Sequence, residues 1–421
     1  MVNNRSGDTG LLSSYRVLDL TDVGGFLCGK VLGDLGTDVI KIEPPGGDPA
    51  RNIGPFYHDI PESEKNLNWF FYNMNKRDIT LNIESQDGQK IFRQLVKKAD
   101  IVIESFSPGY MDGLGLGYGA LNNINPSTIM ASITPFGQDG PYKDYKAPDI
   151  VVMAMSGLMY MTGDPDRPPV KVGWPQAYLH AAADAATGIM MALYYRGLTG
   201  EGQHVEVSAQ ESTLWTMMNS LRFWELSKVT IKRAGAFIVR PFTNATQRQT
   251  WRCQDGYVCF AVMGGLQGER IMRALVEWMD SEGMATDFLK ETNWREVDFS
   301  RLTQDILDES LTPIGKFLMG HTKAELYEEA VKRDIALFIV ATPKDLLESR
   351  QLISRDYWAE IEHPELGCSL TCPNAFAKTN VGPPRIQHRA PLIGEHNKEI
   401  YERELGFTSK ELAILKQANI I

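Results

Sequence analysis

Apolar runs and amphipathic stretches alternate along the first 140 residues in a regular order. Residues 16–20 (RVLDL) predict a strand, TDVGG a turn, FLCGKVLGDLG a helix and TDVIKIE a second strand. A further unit follows: DITLNI (78–83) as a strand, Gln86 to Lys98 as a helix of amphipathic period, and ADIVIES (99–105) as the next strand. TIMASITPFG adds another strand and runs into a loop with Gly137, Gly140 and Pro141. Short apolar strands separated by helices predict a parallel, doubly wound α/β sheet. Ligands of such sheets gather at the carboxyl ends of the strands, here Thr21–Gly25, Glu43–Gly47, Ser105–Gly109 and Thr134–Gly140.

A turn rich in glycine and proline (Gly163, Pro165, Pro168, Pro169) then leads through Val170–Gly173 to Trp174-Pro175, after which an alanine-rich helix is expected over Ala177–Tyr195. Its one carboxylate, Asp184, is flanked by alanines, which permits close approach by a ligand or another helix. TGEGQHVEVSAQESTLW reads as a glycine turn, a strand and a helix start. From about Cys253 to Val340 the texture changes to a strand-like GYVCFAVM followed by amphipathic helices at Gly268–Met279 and Lys323–Arg333, a smaller α+β domain. The tail from Thr342 is rich in strands and turns up to Lys398–Glu404 and is expected to return to the first domain. At 421 residues the chain exceeds one compact core. The predicted division is a large domain over 1–205, a linker over 206–245, a small domain over 246–338, and a linker with the return over 339–421.

Composition narrows the function classes. Hydrophobic content of 43% and charged content of 23% are those of a soluble globular protein, and a net charge of -10 argues against nucleic acid or an anionic membrane as partner. An anionic ligand would need local cations, and Asn75-Lys76-Arg77 offers two just before a strand. Five scattered cysteines read as unlinked thiols in a reducing compartment. MVNNRSGDTG has no apolar core of a signal peptide, and the apolar run Ile150–Met161 is interrupted at Ser156-Gly157 and falls short of the roughly 18 residues of a span. A cytoplasmic location is therefore expected. The glycines of DVGGFLCG are spaced unlike a dinucleotide fingerprint, and no metal cluster, phosphate loop or nucleophile elbow is present in the sequence. His180 and the turn Arg389–His396 carry acid–base side chains, for which a structural reading is preferred.

Seven segments together change the picture: VLDLTDVGG, LGDLGTDVIKIEPPGGD, NMNKRDITLNI, ADIVIESFSPGYMDGLGLGY, MSGLMYMTGDPDRPPVKVG, RGLTGEGQHVEVSAQE and RAPLIGEHN. They resemble the family III CoA-transferases. The resemblance implies a Rossmann-like large domain that contains both termini, a small α+β domain, and two chains threaded as interlocked rings. Coenzyme A or acyl-CoA then enters as substrate and not as a bound cofactor, with contacts expected at Val23, Gly24, Lys76, Arg77, Leu81, Ser105, Phe106 and Leu114.

In the family an aspartate attacks the acyl-CoA thioester to give a mixed anhydride. CoA thiolate returns to give an aspartyl-CoA thioester, and the acceptor carboxylate takes the CoA. That aspartate lies five residues after the glycine of the P-V-K-V-G run. Gly173 plus five is Tyr178. A phenol with a pKa near 10 is protonated at neutral pH and cannot replace the carboxylate. Asp184 lies six residues further, about 9 Å along the helix and roughly 240° around it. Pro44 and Gly113 also stand where active members often carry basic residues, and Pro148 replaces the histidine expected of the racemases in the superfamily. PQAYLHAAADAATG resembles the non-catalytic chain of a heteromeric transferase.

The resemblance thus implies a subunit without its own catalytic residue. Its partner would be a paralogous family III chain carrying the aspartate. The substrates would be an acyl-CoA such as succinyl-CoA and an aromatic dicarboxylate such as (R)-benzylsuccinate, without nucleic acid or membrane. The alternatives are a self-sufficient transferase or acyl-CoA isomerase using Asp184, and a CoA-binding or scaffolding protein.

Overall fold

A computed structural model describes residues 10–239, 243–298 and 303–421. The amino-terminal stretch read above for a signal peptide lies, up to residue 9, outside the described residues, as do 240–242 of the expected linker and 299–302 of the expected small domain.

Six strands form one parallel sheet: β1 (Arg16–Leu20), β2 (Asp38–Glu43), β3 (Lys76–Thr80), β4 (Ile101–Glu104), β5 (Ile129–Thr134) and β6 (His204–Ser208). Their order is β3-β2-β1-β4-β5-β6, that of a doubly wound sheet. The uninterrupted apolar runs exist because both faces are covered: every residue of β4 and β5 is buried. The helices are α1 (Phe26–Asp34), α2 (Leu67–Tyr72), α3 (Gln86–Val96), α4 (Tyr110–Gly113), α5 (Tyr118–Ile124), α6 (Asp149–Met155), α7 (Ala177–Thr199) and α8 (Ala209–Trp215). α3 starts where the Ser85 Oγ accepts the Gly88 amide at 3.0 Å, and it buries Ile91, Phe92, Leu95 and Val96 against Leu18, Ile40, Ile79 and Val102.

The third strand ends at Thr80 and not at Ile83. Leu81 N still donates to Glu43 O at 2.7 Å, but Asn82 N donates to Ile420 O at 2.7 Å, so the backbone leaves the sheet to bind the carboxyl-terminal residues. An apolar run cannot reveal that exchange, because both partners bury it equally well.

The chain forms two compact units. The first comprises residues 10–158, Val172–Arg222 and Arg350–Ile421; the second comprises Met159–Lys171 and Phe223–Ser349. The proline-rich turn before α7 thus clusters with the second unit, whereas β6 and α8, at the start of the expected linker, belong to the first. In the second unit, strands Thr250–Cys253, Gly256–Cys259 and Phe338–Ile339 form an antiparallel sheet with Gly256–Cys259 at its centre. Helices Gly265–Ser281, Gln304–Met319 and Lys323–Arg333 enclose a core that includes Trp251, Phe260, Met272, Leu275 and Phe317. The last of these helices opens with a reciprocal Thr322–Glu325 cap.

Within the first unit the tail is tied to the sheet by buried charge. Arg51 donates Nε and Nη2 to the two oxygens of Glu43 at 2.7 and 2.6 Å, stacks at 3.6 Å over Trp69, and reaches Pro391 O at 3.1 Å. Asp78 Oδ1 accepts the Gly394 amide at 2.6 Å, and His396 Nδ1 accepts the Asp78 amide at 3.1 Å. His396 therefore holds a turn, in keeping with the structural reading of the segment. Asp78 Oδ2 is buried beside Glu43 and without a donor of its own. Burial and the Glu43 charge push the Asp78 carboxyl well above the usual range, while the Arg51 guanidinium outweighs burial and holds Glu43 below it. One proton, on Asp78, serves both acids.

A carboxyl raised in the folded state gives stability that is present at low pH and lost as pH rises through the folded value. Asp78→Asn mimics the protonated acid, so its stability should decline less than wild type on the alkaline side. Asp78→Ala strips the partner from Gly394 and should cost about 1–3 kcal/mol. Denaturant unfolding across pH measures both, and an unchanged alkaline slope in Asp78→Asn would count against the shared proton.

Candidate active site

β1 and β4 are neighbours, and the chain leaves them toward opposite halves of the sheet, which opens a crevice at their carboxyl ends. The two loops are bonded to each other across it. Asp22 N donates to Ser105 Oγ and Ser105 Oγ to Asp22 Oδ1, both at 2.8 Å, while the Gly24 amide reaches the same Oδ1 at 2.9 Å. A cavity of about 520 Å³ opens here, with Asp22, Phe106, Tyr145, Trp174, Tyr178 and Leu179 among its walls. Lys143 and Lys146 line it too.

α7 enters this cavity with its amino end. Asp149, the first residue of α6, accepts the amides of Gln176 at 2.9 Å and Ala177 at 2.8 Å through one oxygen, and so satisfies two donors that the helix start leaves free. One residue on, the Tyr178 ring lies against Gly24, where a Cβ would stand 3.0 Å from Cδ1. Its hydroxyl donates to Ala147 O at 2.6 Å. Burial, then the charges of Asp22 and Asp149, push the phenol far above its ordinary range, which favours its protonated form near neutral pH.

Asp184 is elsewhere. α7 buries Ala181, Ala182, Ala185, Ala186 and Ile189, and Asp184 sits on the exposed face with Thr187, Met191 and Tyr194. The cavity that holds Tyr178 does not include it.

Of the eight expected CoA contacts, four gather around this cavity: Val23, Gly24, Ser105 and Phe106. The others do not. Lys76 is buried, and its ammonium spends its protons on Asp19 Oδ2 (2.8 Å), Phe26 O (2.9 Å) and Asn73 Oδ1 (2.8 Å), leaving none for a phosphate in this arrangement. Arg77 is engaged by Asp38, Glu399 and Glu404. Leu81 is buried in the core, and Leu114 packs against the same cluster. Lys76 and Arg77 line instead a cavity of about 730 Å³ at the amino ends of β2 and β3, rimmed by Asp38, Glu362, His388 and Glu399. The cations near Tyr178 are Lys143 and Lys146, which the sequence does not mark, since nothing local shows that their loop folds over the crevice. Asp149 escapes notice for the same reason: its helix-start position is legible, its partners 27 and 28 residues away are not. Among the described residues no three His, Cys, Asp or Glu side chains converge as metal ligands.

With this geometry established, comparison with known proteins decides the family. The family model of CoA-transferase family III matches residues 12–397. The chain belongs to CoA-transferase family III. Among curated relatives, subunit BbsE of succinyl-CoA:(R)-benzylsuccinate CoA-transferase from Thauera aromatica is 33% identical, with 95% of each chain covered. Succinyl-CoA--D-citramalate CoA-transferase from Chloroflexus aurantiacus is 30% identical over 97% of this chain and 98% of its own. Formyl-CoA:oxalate CoA-transferase from Streptomyces avermitilis is 30% identical over 98% and 100%. Among solved structures, a CAIB/BAIF family protein from Brucella suis superposes with a TM-score of 0.80 at 26% identity, covering 94% of this chain and 100% of its own. Membership in family III makes CoA thioesters the substrate class and agrees with the α/β architecture.

The placement of Lys76 yields a prediction. Lys76→Ala leaves Asp19 as an unpaired buried charge and should cost about 3–5 kcal/mol in denaturant unfolding. A variant of wild-type stability with weakened CoA affinity would instead restore Lys76 as a phosphate contact.

Proposed function

We propose that this chain is the non-catalytic subunit of a heteromeric family III CoA-transferase that moves CoA between an acyl-CoA such as succinyl-CoA and a carboxylic acid such as (R)-benzylsuccinate. A paralogous family III chain, interlocked with this one, supplies the aspartate. The observation that carries the reading is the Tyr178 hydroxyl, donated to Ala147 O where the family's nucleophile belongs. The similarity to BbsE supports the choice of substrates, and the aromatic walls from Tyr145 and Trp174 suit a ring-bearing acid. In this assignment the attack on the thioester, the anhydride and the aspartyl-CoA thioester all belong to the partner. The present chain contributes fold, interface and walls.

We infer a cytoplasmic location, which the acidic composition supports. No helix among the described residues is long and apolar enough to cross a membrane. The large and small domains of the family pattern correspond, in this reading, to the two compact units.

The test is CoA exchange between succinyl-CoA and benzylsuccinate. The isolated chain should show no turnover and no covalent CoA adduct by mass spectrometry, and coexpression with a family III chain bearing the aspartate should produce both, the adduct on the partner. Asp184→Ala in that complex should leave turnover unchanged. Robust exchange by the isolated chain, or loss of exchange on Asp184→Ala, would overturn the assignment.

A further inference from the structure

Next to the Tyr178 cavity lies a smaller one, of about 230 Å³, that the reaction described above does not use. Its walls include Glu104, Asp112, Tyr118, Ser132 and His204, and Ser107 lines both cavities. Three of these residues sit on three adjacent strands. Glu104 ends β4, Ser132 is its register partner on β5, and His204 begins β6. Glu104 and Ser132 are 4% and 1% exposed, so their polar atoms must find partners inside the protein. Glu104 Oε2 accepts the Phe106 amide at 2.7 Å and Ser132 Oγ lies 2.9 Å from His204 Nε2, while the Ser132 hydroxyl, on the register partner of Glu104, favours the charged form of its carboxyl. Tyr118 stacks on the His204 ring at 5.6 Å and 15°.

We propose that Glu104 is the positioning residue for the Ser105–Phe106 wall of the acyl-CoA cavity, and that Ser132 and His204 form the hydrogen-bonded chain through which solvent sets its proton. The proposal rests on the reading that the Tyr178 cavity takes acyl-CoA. Glu104 is tied to both wall residues, since its carboxyl holds the amide of Phe106 and its backbone precedes Ser105.

The chain has two orderly states. With Glu104 ionised, the Ser132 hydroxyl donates to the carboxylate and His204 Nε2–H donates to Ser132, and the Phe106 amide meets a charged acceptor. After one proton enters from solvent at His204 and is handed on, the Glu104 O–H donates to Ser132 Oγ, the Ser132 O–H turns to a bare His204 Nε2, and the Phe106 amide keeps a neutral acceptor only. Charge assistance roughly doubles such a bond, so the wall is held more firmly in the ionised state. Burial is the main influence on Glu104 and pushes it up to about 7; the charged groups nearest it, Asp112 on α4 and Asp22 after β1, are both acids and push the same way. His204 is pushed below its ordinary value by burial, against the pull of Glu206 and Asp112.

The full-length chain, labelled with nitrogen-15 at phenylalanine, gives a direct readout. The Phe106 amide resonance should titrate with a midpoint near 7. Glu104→Gln should abolish that titration while leaving the other phenylalanine resonances in place, and Ser132→Ala, which removes a donor to the carboxylate, should move the midpoint up. CoA itself, titrated by calorimetry about one pH unit to either side of neutrality, should bind about three- to tenfold more weakly on the acid side, and with no pH dependence in Glu104→Gln. A Phe106 resonance that ignores pH, or titrates alike in wild type and Glu104→Gln, overturns the role of Glu104. A wild-type chain that binds no CoA at either pH overturns the functional reading of the cavity, whereas the Phe106 titration decides the role of Glu104 by itself.

Discussion

The ion pair between Lys76 and Asp19 is the constraint on which the carboxyl end of the sheet depends. Both side chains are wholly buried, and they join β3 to β1 across β2. Burial works against the charge on Asp19, yet Lys76 and Lys41 outweigh it and hold the carboxyl below the usual range. Its other oxygen accepts the amide and hydroxyl of Thr21 at 3.0 and 2.6 Å, which sets the turn that presents Asp22, Val23 and Gly24 to the crevice. Room for the pair comes from Gly29 on α1: a Cβ there would fall 2.2 Å from Asp19 Oδ2 and 3.0 Å from Lys76 Nζ. A second buried pair, Glu43 with Arg51, repeats the arrangement one strand over and extends it to the tail through Pro391. Such pairs contribute little net energy but are costly to break, so they fix geometry more than they add stability.

That division explains what was legible in the chain. The order of strands and helices along the large unit follows from apolar period, because a parallel sheet covered on both faces leaves continuous runs as its trace. Two of the four strand ends expected to face a ligand, those of β1 and β4, meet at one cavity, and Val23, Gly24, Ser105 and Phe106 line it. Lys76, expected at a phosphate, is found on an aspartate 57 residues upstream, and a cation before a strand looks the same in either case. Arg77 is likewise engaged by partners 39 to 327 residues away. Long-range electrostatic partners leave no period in a sequence; helix faces do.

Tyr178 is bonded into its crevice and does not merely fill space. Its ring needs the bare face of Gly24, and its hydroxyl is satisfied by a backbone carbonyl from the loop that precedes α6. The residue is thus integrated into three elements, the turn after β1, the loop before α6 and the start of α7, each held by bonds of its own.

Electrostatics carries the point further. A helix start ordinarily favours a negative charge. At α7 that preference is already met by Asp149, which takes the amides of Gln176 and Ala177, and Asp22 stands on the other side of Tyr178. A carboxylate at position 178 would be a third acid in the same half-buried space, and its charged form would be disfavoured by both neighbours and by burial. A neutral phenol avoids that repulsion and turns its one proton to Ala147. The crevice of this chain is therefore organised around an uncharged residue at position 178, and that neutrality is what supports the proposal that an aspartate comes from another chain.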